Sequence, residues 1–214
     1  MNDKALARFA PLTGLLFAGL LVTVRIIEGT SLPDSDDPTL KVVAFWTNHS
    51  SEQITVSIMA SFAAVFLLWF AGILRGVLWE AEDGSGTLAA LTFGGAIVAV
   101  AGMLANATVE FAAAHSAGDV PAQVTQTLSA LQADTFFPIA AGFGVFGIAA
   151  GLAVLQTNAL PRWLGWVSLV GGVLWLTPGE FVAIFLSVIF VVCASFALFR
   201  RTSGAQRAAS QATP

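Results

Sequence analysis

Charge is scarce in this chain. Asp, Glu, Lys and Arg make up 10% of its 214 residues, whereas a soluble domain carries about 25%. That is too little charge to cover a soluble globule of this size. Cysteine is scarcer still. Cys193 stands alone in an apolar run, which excludes an internal disulfide and leaves metal or redox motifs without their partner residues. It reads as a small buried apolar side chain. No stretch concentrates Lys and Arg, and the net charge is −4, so nucleic acid is not an expected partner. No polar stretch is long enough for a soluble domain on either side of the apolar segments. The apolar segments hold no lysine for a retinal-type Schiff base and no paired histidines for haem. No cofactor and no catalytic residue is expected.

What is present is apolar sequence in long blocks. Hydrophobic residues make 57% of the chain and the mean hydropathy is +0.82. A helix needs about 20 apolar residues to cross a hydrocarbon core about 30 Å thick. Six segments approach this, over residues 11–27, 54–78, 88–114, 135–157, 163–177 and 181–199. Helices are expected because backbone groups in lipid must be paired within the segment. The fold class is therefore all-α, a polytopic membrane helical bundle of six transmembrane helices. Residues 1–200 form one transmembrane domain, and residues 201–214 a disordered cytoplasmic tail. Thr177-Pro178-Gly179-Glu180 is a turn signature, so segments five and six form a tight hairpin, or else one re-entrant element. Lys4 and Arg8 before an apolar run resemble a signal peptide, but no small-x-small cleavage site follows and Arg25 and Glu28 intrude, so the segment is retained as the first helix.

Orientation follows from the cations. With the N-terminus inside, Lys4, Arg8, Arg75, Arg162, Arg200, Arg201 and Arg207 are cytoplasmic, and only Arg25 and Lys41 lie toward the outside. Both termini are then cytoplasmic. The acids lean outward: Glu28, Asp34, Asp36, Asp37, Glu52 and Asp119. Trp79, Trp163 and Trp166 fall at the inner boundary, and Trp46 and Trp175 near the outer one, where indoles settle.

Two outer loops carry helical patterns. In the first, Asp37 before Pro38 reads as an N-cap, and Leu40, Val43, Ala44 and Thr47 repeat at helical spacing beside Trp46. In the second, Val124, Leu128 and Leu131 share a face, and Pro138 then starts or kinks the fourth span. Two short amphipathic helices on the outer side are predicted, which either cap an outward cavity or rest on the bilayer.

Charges at membrane depth are costly, so each is a candidate site. Glu110 lies near the outer end of span three, with Asn106 one turn earlier on the same face. Arg25 and Asp134 lie at the same depth in spans one and four. Three readings stand for this set: a salt bridge from Arg25 to Glu110 or Asp134, an outward polar pocket lined by Arg25, Asn106, Glu110 and Asp134, or snorkelling to the interface. A metal site would add His49 and His115, but Glu110 and His115 are five apart, there is no His-x-x-x-His, and both histidines read as exposed loop residues.

Gly142-Phe143-Gly144-Val145-Phe146-Gly147 copies the glycine spacing of a dinucleotide loop without the strand that motif requires. Close helix packing explains it better, as it does Gly151, Gly94, Gly95, Gly171 and Gly172. Asn48-His49-Ser50 and Asn106-Ala107-Thr108 fit a glycosylation pattern; the second lies at membrane depth, and no function is assigned to it.

Leu160-Pro161-Arg162-Trp163-Leu164-Gly165-Trp166-Val167, with Asp134-Thr135-Phe136-Phe137-Pro138 before it, resembles a loop-to-helix signature of small multi-span bacterial membrane proteins of unknown function, notably actinobacterial ones. The resemblance covers residues 130–200. It implies a bacterial plasma membrane and a helical bundle, and carries no activity. The expected function is a non-enzymatic membrane protein that binds a small or lipid-like ligand from outside or supports a partner. A transporter subunit and a metal-dependent membrane enzyme are the alternatives. Membrane lipids, a second copy or another membrane protein are the expected partners.

Overall fold

A computed structural model describes residues 12–27, 32–33 and 37–211, with Glu180 and residues 202–211 described by backbone alone. Lys4, Arg8, Glu28, Asp34, Asp36 and the Arg207 side chain, used above for orientation, lie outside what is described. The described residues form eight helices and no strand: α1 (Leu12–Ile27), α2 (Thr39–Asn48), α3 (Ser50–Ala81), α4 (Thr87–Ser116), α5 (Ala122–Asp134), α6 (Phe136–Thr157), α7 (Arg162–Trp175) and α8 (Glu180–Gln211). Each of the six apolar segments is a helix, within a few residues of its expected bounds except at the C-terminal end of α8, and α2 and α5 are the two amphipathic helices predicted for the outer loops.

Four stretches are long and apolar enough to cross a membrane: Ser50–Ala81, Thr87–Ser116, Ala122–Thr157 and Phe181–Arg201, with mean hydropathy of 2.0 to 2.8. α5 and α6 count as one stretch because only Thr135, at φ −67° and ψ −4°, separates them. Pro138 sits in the first turn of α6, where a missing N–H costs nothing. α1 and α7 have 16 and 14 residues, about 24 Å and 21 Å at 1.5 Å per residue.

The turns are built locally. Between α3 and α4, Asp83, Gly84 and Gly86 take positive φ, and the Glu82 carboxylate accepts hydrogen bonds from Leu88 N at 3.0 Å and Ala89 N at 2.7 Å. It thereby satisfies two first-turn donors of α4 that lack helical partners. α6 ends on Asn158 at φ 54°, and Pro161 then occupies the cap position of α7. Leu176 to Gly179 close the α7–α8 hairpin.

Successive long helices run antiparallel. α6 is central, packed between α4 and α7, and glycines set both seams. A Cβ on Gly142 would lie 2.8 Å from Ala99 Cβ on α4; one on Gly147 would lie 2.7 Å from Gly172 Cα on α7; one on Gly151 would lie 2.7 Å from Gly165 O. The dinucleotide-like spacing is thus a two-sided packing device. Gly94 departs from expectation: nothing lies within 4 Å of the position its Cβ would take, and Gly95 alone faces α6. α1 lies against α3 and α8 and closes the bundle.

The structure settles which residues of the two short helices turn inward, a point the sequence left open. On α2 the inward residues are Val42 and Trp46, packed on Ala113 and Ala114 of α4, while Leu40 is 82% exposed and Ala44 and Thr47 are exposed too. The largest side chain, Trp46, decides which way α2 turns. Pro38 occupies the cap position, and Asp37 pairs with Lys41 at 2.8 Å. On α5 the buried residues are Thr125 and Ser129; of the predicted apolar face, Leu128 packs against the Val42–Trp46 cluster while Val124 and Leu131 face out. Trp46 and Trp175 are buried rather than interfacial, whereas Trp79, Trp163 and Trp166 are exposed. The helical backbone of α8 continues to Gln211, through most of the segment predicted to be disordered.

Candidate functional site

A cavity lies among all six long or apolar helices, α1, α3, α4, α6, α7 and α8. It gives about 80 Å³ to the centres of water-sized molecules. A single water needs about 10–15 Å³ of such space, so the cavity admits a group of several heavy atoms.

Its lining changes character along its length. Arg25 near the end of α1, and Asn106 and Glu110 one turn apart on α4, make the polar part. Phe17, Leu21 and Met103 lie deeper, beside Phe143 of α6. The aromatic wall is ordered: Phe143 stacks on Trp175 with centroids 4.9 Å apart and planes 13° apart, and Phe17 meets Phe143 at 6.4 Å. Trp175 Nε1 donates to Ser187 Oγ at 2.9 Å, so the α7–α8 hairpin presents its indole in one orientation. Each polar group arrives by helix geometry. Asn106 and Glu110 share a face because they are four apart, and that face borders the cavity that Val24 and Arg25 line from the last turn of α1.

Glu110 is 2% exposed, deep for a carboxylate. Asn106 is held: its Nδ2 donates to Gln132 O at 2.9 Å and to Thr135 Oγ1 at 2.7 Å, at the junction of α5 and α6. Thr135 Oγ1 donates in turn to the same carbonyl at 2.6 Å. The cavity wall is therefore tied to the end of α5.

Of the four residues singled out by sequence, Arg25, Asn106 and Glu110 line one cavity and Asp134 does not. Asp134 is exposed. Five residues separate it from Ser129, which turns it about 140° from the inward face of α5 at 100° per residue. The helices α2 and α5 lie at this end of the bundle, but none of their described side chains lines the cavity. His49 and His115 lie apart from it: the His49 ring stacks on Phe45, with Nδ1 donating to Phe45 O at 3.0 Å, and the His115 ring stacks on Phe111. Among the described residues no three His, Cys, Asp or Glu side chains gather as metal ligands would.

Sequence reasoning missed the aromatic half of the site. Phe143 was legible only as part of a glycine-rich span, and Trp175 looked like an interfacial anchor. The signal for Trp175 was available: Ser187 lies 12 residues on, across a Pro-Gly hairpin, and is a partner an indole N–H needs when buried. No protein-family model, no curated protein and no solved structure matches this chain.

Proposed function

We propose that this is an integral protein of a bacterial plasma membrane, crossing it six times with both termini inside, and that its outward cavity binds a small amphiphilic ligand. The carrying observation is the cavity itself, with Arg25, Asn106 and Glu110 at one end and the Phe17–Phe143–Trp175 wall at the other. A ligand with a polar head and a short apolar body matches that gradient.

The exterior supports the membrane reading. Phe62, Trp69, Phe137, Phe181 and Phe185 are 54–75% exposed, a pattern that lipid solvates and water does not. The inverted face of α5 points the same way, with hydroxyls inward and Val124 and Leu131 outward. The ends of the helices support the orientation. The α3–α4 turn meets the end of α6, and the α6–α7 loop meets the end of α8, which gathers Arg162, Arg200 and Arg201 at one end of the bundle. Lys41, Glu52 and Asp119 belong to the other end.

Binding is favoured over transport by the packing below the cavity. Leu67, Phe70, Leu74, Phe146 and Phe190 are at most 2% exposed and fill the interior with apolar side chains. The buried hydroxyls at this depth, Thr92, Ser168 and Ser195, each donate to a backbone carbonyl, and among the described residues no polar path continues through the interior.

The test is native mass spectrometry of protein released from lipid nanodiscs. The wild type is expected to carry a defined bound mass below that of a bilayer phospholipid. Ala60→Phe, which fills the cavity from α3, and Glu110→Gln, which changes its polar end, are expected to lose it. A wild type released bare, or an adduct unchanged in both variants, would sink the reading. A bound zinc or iron mass would favour the enzyme alternative instead.

A further inference from the structure

The largest described concavity lies at the opposite end of the bundle from the amphiphile cavity. The α6–α7 loop and the last apolar turns of α8 enclose a groove of about 740 Å³. Three arginines line it: Arg162 from the first turn of α7, and Arg200 and Arg201 from α8. All three are exposed, and no carboxylate is among its described lining residues. α7 begins here behind Pro161 with no side-chain cap, so its first turn presents the positive end of a helix dipole to the groove.

The rest of the groove is apolar. Leu160 and Leu164, 2% and 1% exposed, form its floor. Cys193, Phe196 and Ala197 continue it along α8, and Phe196 and Trp163 are 54% and 52% exposed. The site therefore joins a strongly cationic mouth to an apolar channel on the outside of the bundle. Its mouth sits where the apolar run of α8 ends, after Phe199.

We propose that this groove seats one anionic phospholipid, its phosphate held by Arg162, Arg200 and Arg201 and an acyl chain lying along Cys193 and Phe196. A guanidinium presents paired donors that match phosphate oxygens. Three of them without a neighbouring acid select net negative charge over a zwitterionic head. The apolar channel selects a lipid over a soluble phosphate. Basic pockets between helices at the cytoplasmic face are where anionic head groups dock. The proposal rests on the membrane reading and is independent of the amphiphile cavity.

The experiment uses full-length protein in nanodiscs of equal phosphatidylglycerol and phosphatidylcholine, with lipid adducts read by native mass spectrometry. One retained phosphatidylglycerol per chain is expected. The combined Arg162→Gln, Arg200→Gln and Arg201→Gln variant is expected to weaken retention about a hundredfold, from about fivefold per arginine near a surface. Ala197→Trp keeps every arginine and fills the channel, so it also loses the adduct; it carries the test should the triple variant not fold. Equal retention of phosphatidylcholine, or an adduct surviving in both folded variants, overturns the proposal. Displacement of the adduct by millimolar glycerol phosphate would mean a head-group site alone, and overturns the lipid assignment. Membrane insertion is read separately: release of the wild type from membranes by alkaline carbonate would overturn the membrane reading itself.

Discussion

Two neighbouring glycines on α4 are expected to respond to the same substitution with opposite signs. Gly95 packs on α6, where an added Cβ would lie 2.9 Å from Gly142 O and 2.9 Å from Phe146 Cα. These are backbone atoms and cannot swing aside. Gly94 is one residue earlier, on the same helix, with nothing within 4 Å. Alanine in place of glycine gains about 1 kcal/mol of helix propensity at either position. At Gly95 that gain is opposed by overpacking, typically about 1–3 kcal/mol, because α4 and α6 must move apart to relieve the contact. The propensity term cancels between the two variants, so their difference isolates the seam. We expect Gly94→Ala to be neutral or slightly stabilising, and Gly95→Ala to lie about 2 kcal/mol below it, about thirtyfold in the unfolding equilibrium. The assay is unfolding in mixed micelles as the fraction of dodecyl sulfate is raised, followed by helical circular dichroism. On the scale of a 200-residue domain the thermal midpoints would differ by about 4–8 °C. Equal stability of the two variants would refute the packing of α4 on α6 and, with it, the frame that shapes the cavity.

Asn106→Leu removes both hydrogen bonds to the α5–α6 junction and leaves Gln132 O with one donor fewer; we expect a loss of about 1–3 kcal/mol in the same assay, and no loss would mean the junction is held by other contacts. In a Cys193→Ser background, cysteines at Ser85 and Asp119 are expected to react with a membrane-impermeant maleimide from opposite sides of sealed vesicles, Asp119→Cys from the outside; labelling of both from one side would remove an odd number of the proposed crossings.

Most of the fold was legible because its signal is one-dimensional. Length, hydropathy and turn residues locate helices, and Pro138, Pro161 and Pro178-Gly179 locate their breaks, so helix bounds agreed to within a few residues except at the end of α8, whose polar last turns carry no hydropathy signal. Which side of a helix faces inward is a two-dimensional question, and the residue pattern left it open. For α2 and α5 the apolar stripe was legible, but it fitted two placements, capping a cavity or resting on the bilayer. In α5 Val124 and Leu131 face outward, Leu128 packs against the Val42–Trp46 cluster, and Thr125 and Ser129 face in. Apolar surroundings remove the reason to hide Val and Leu, and small hydroxyl residues let helices approach closely. Asp134 shows the same gap: judged by depth it belonged with Arg25 and Glu110, and judged by angle it does not line their cavity. Trp46 and Trp175 failed for a related reason, since an indole near a helix end fits both an interfacial anchor and a buried partner.

The cavity is better explained as a retained feature than as a packing defect. The seams beside it are tight: α6 meets α4 and α7 through glycines at backbone contact, and Ser168 Oγ donates to Gly147 O at 2.9 Å across the second seam. A chain that packs this closely at Gly142, Gly147, Gly151 and Gly172 could close a space of 80 Å³ by enlarging one residue, and Ala60 on α3 is the simplest position for it. Instead the space is walled by stacked rings, with Trp175 hydrogen-bonded in place and a carboxylate and a guanidinium at one end. Holding Glu110 at 2% exposure is costly in an apolar interior. If that cost served structure alone, Ala60→Phe would raise stability by filling the void and change nothing else. If it serves a ligand, the same substitution stabilises the bundle and abolishes the bound mass, and that separation of stability from occupancy is what the cavity reading requires.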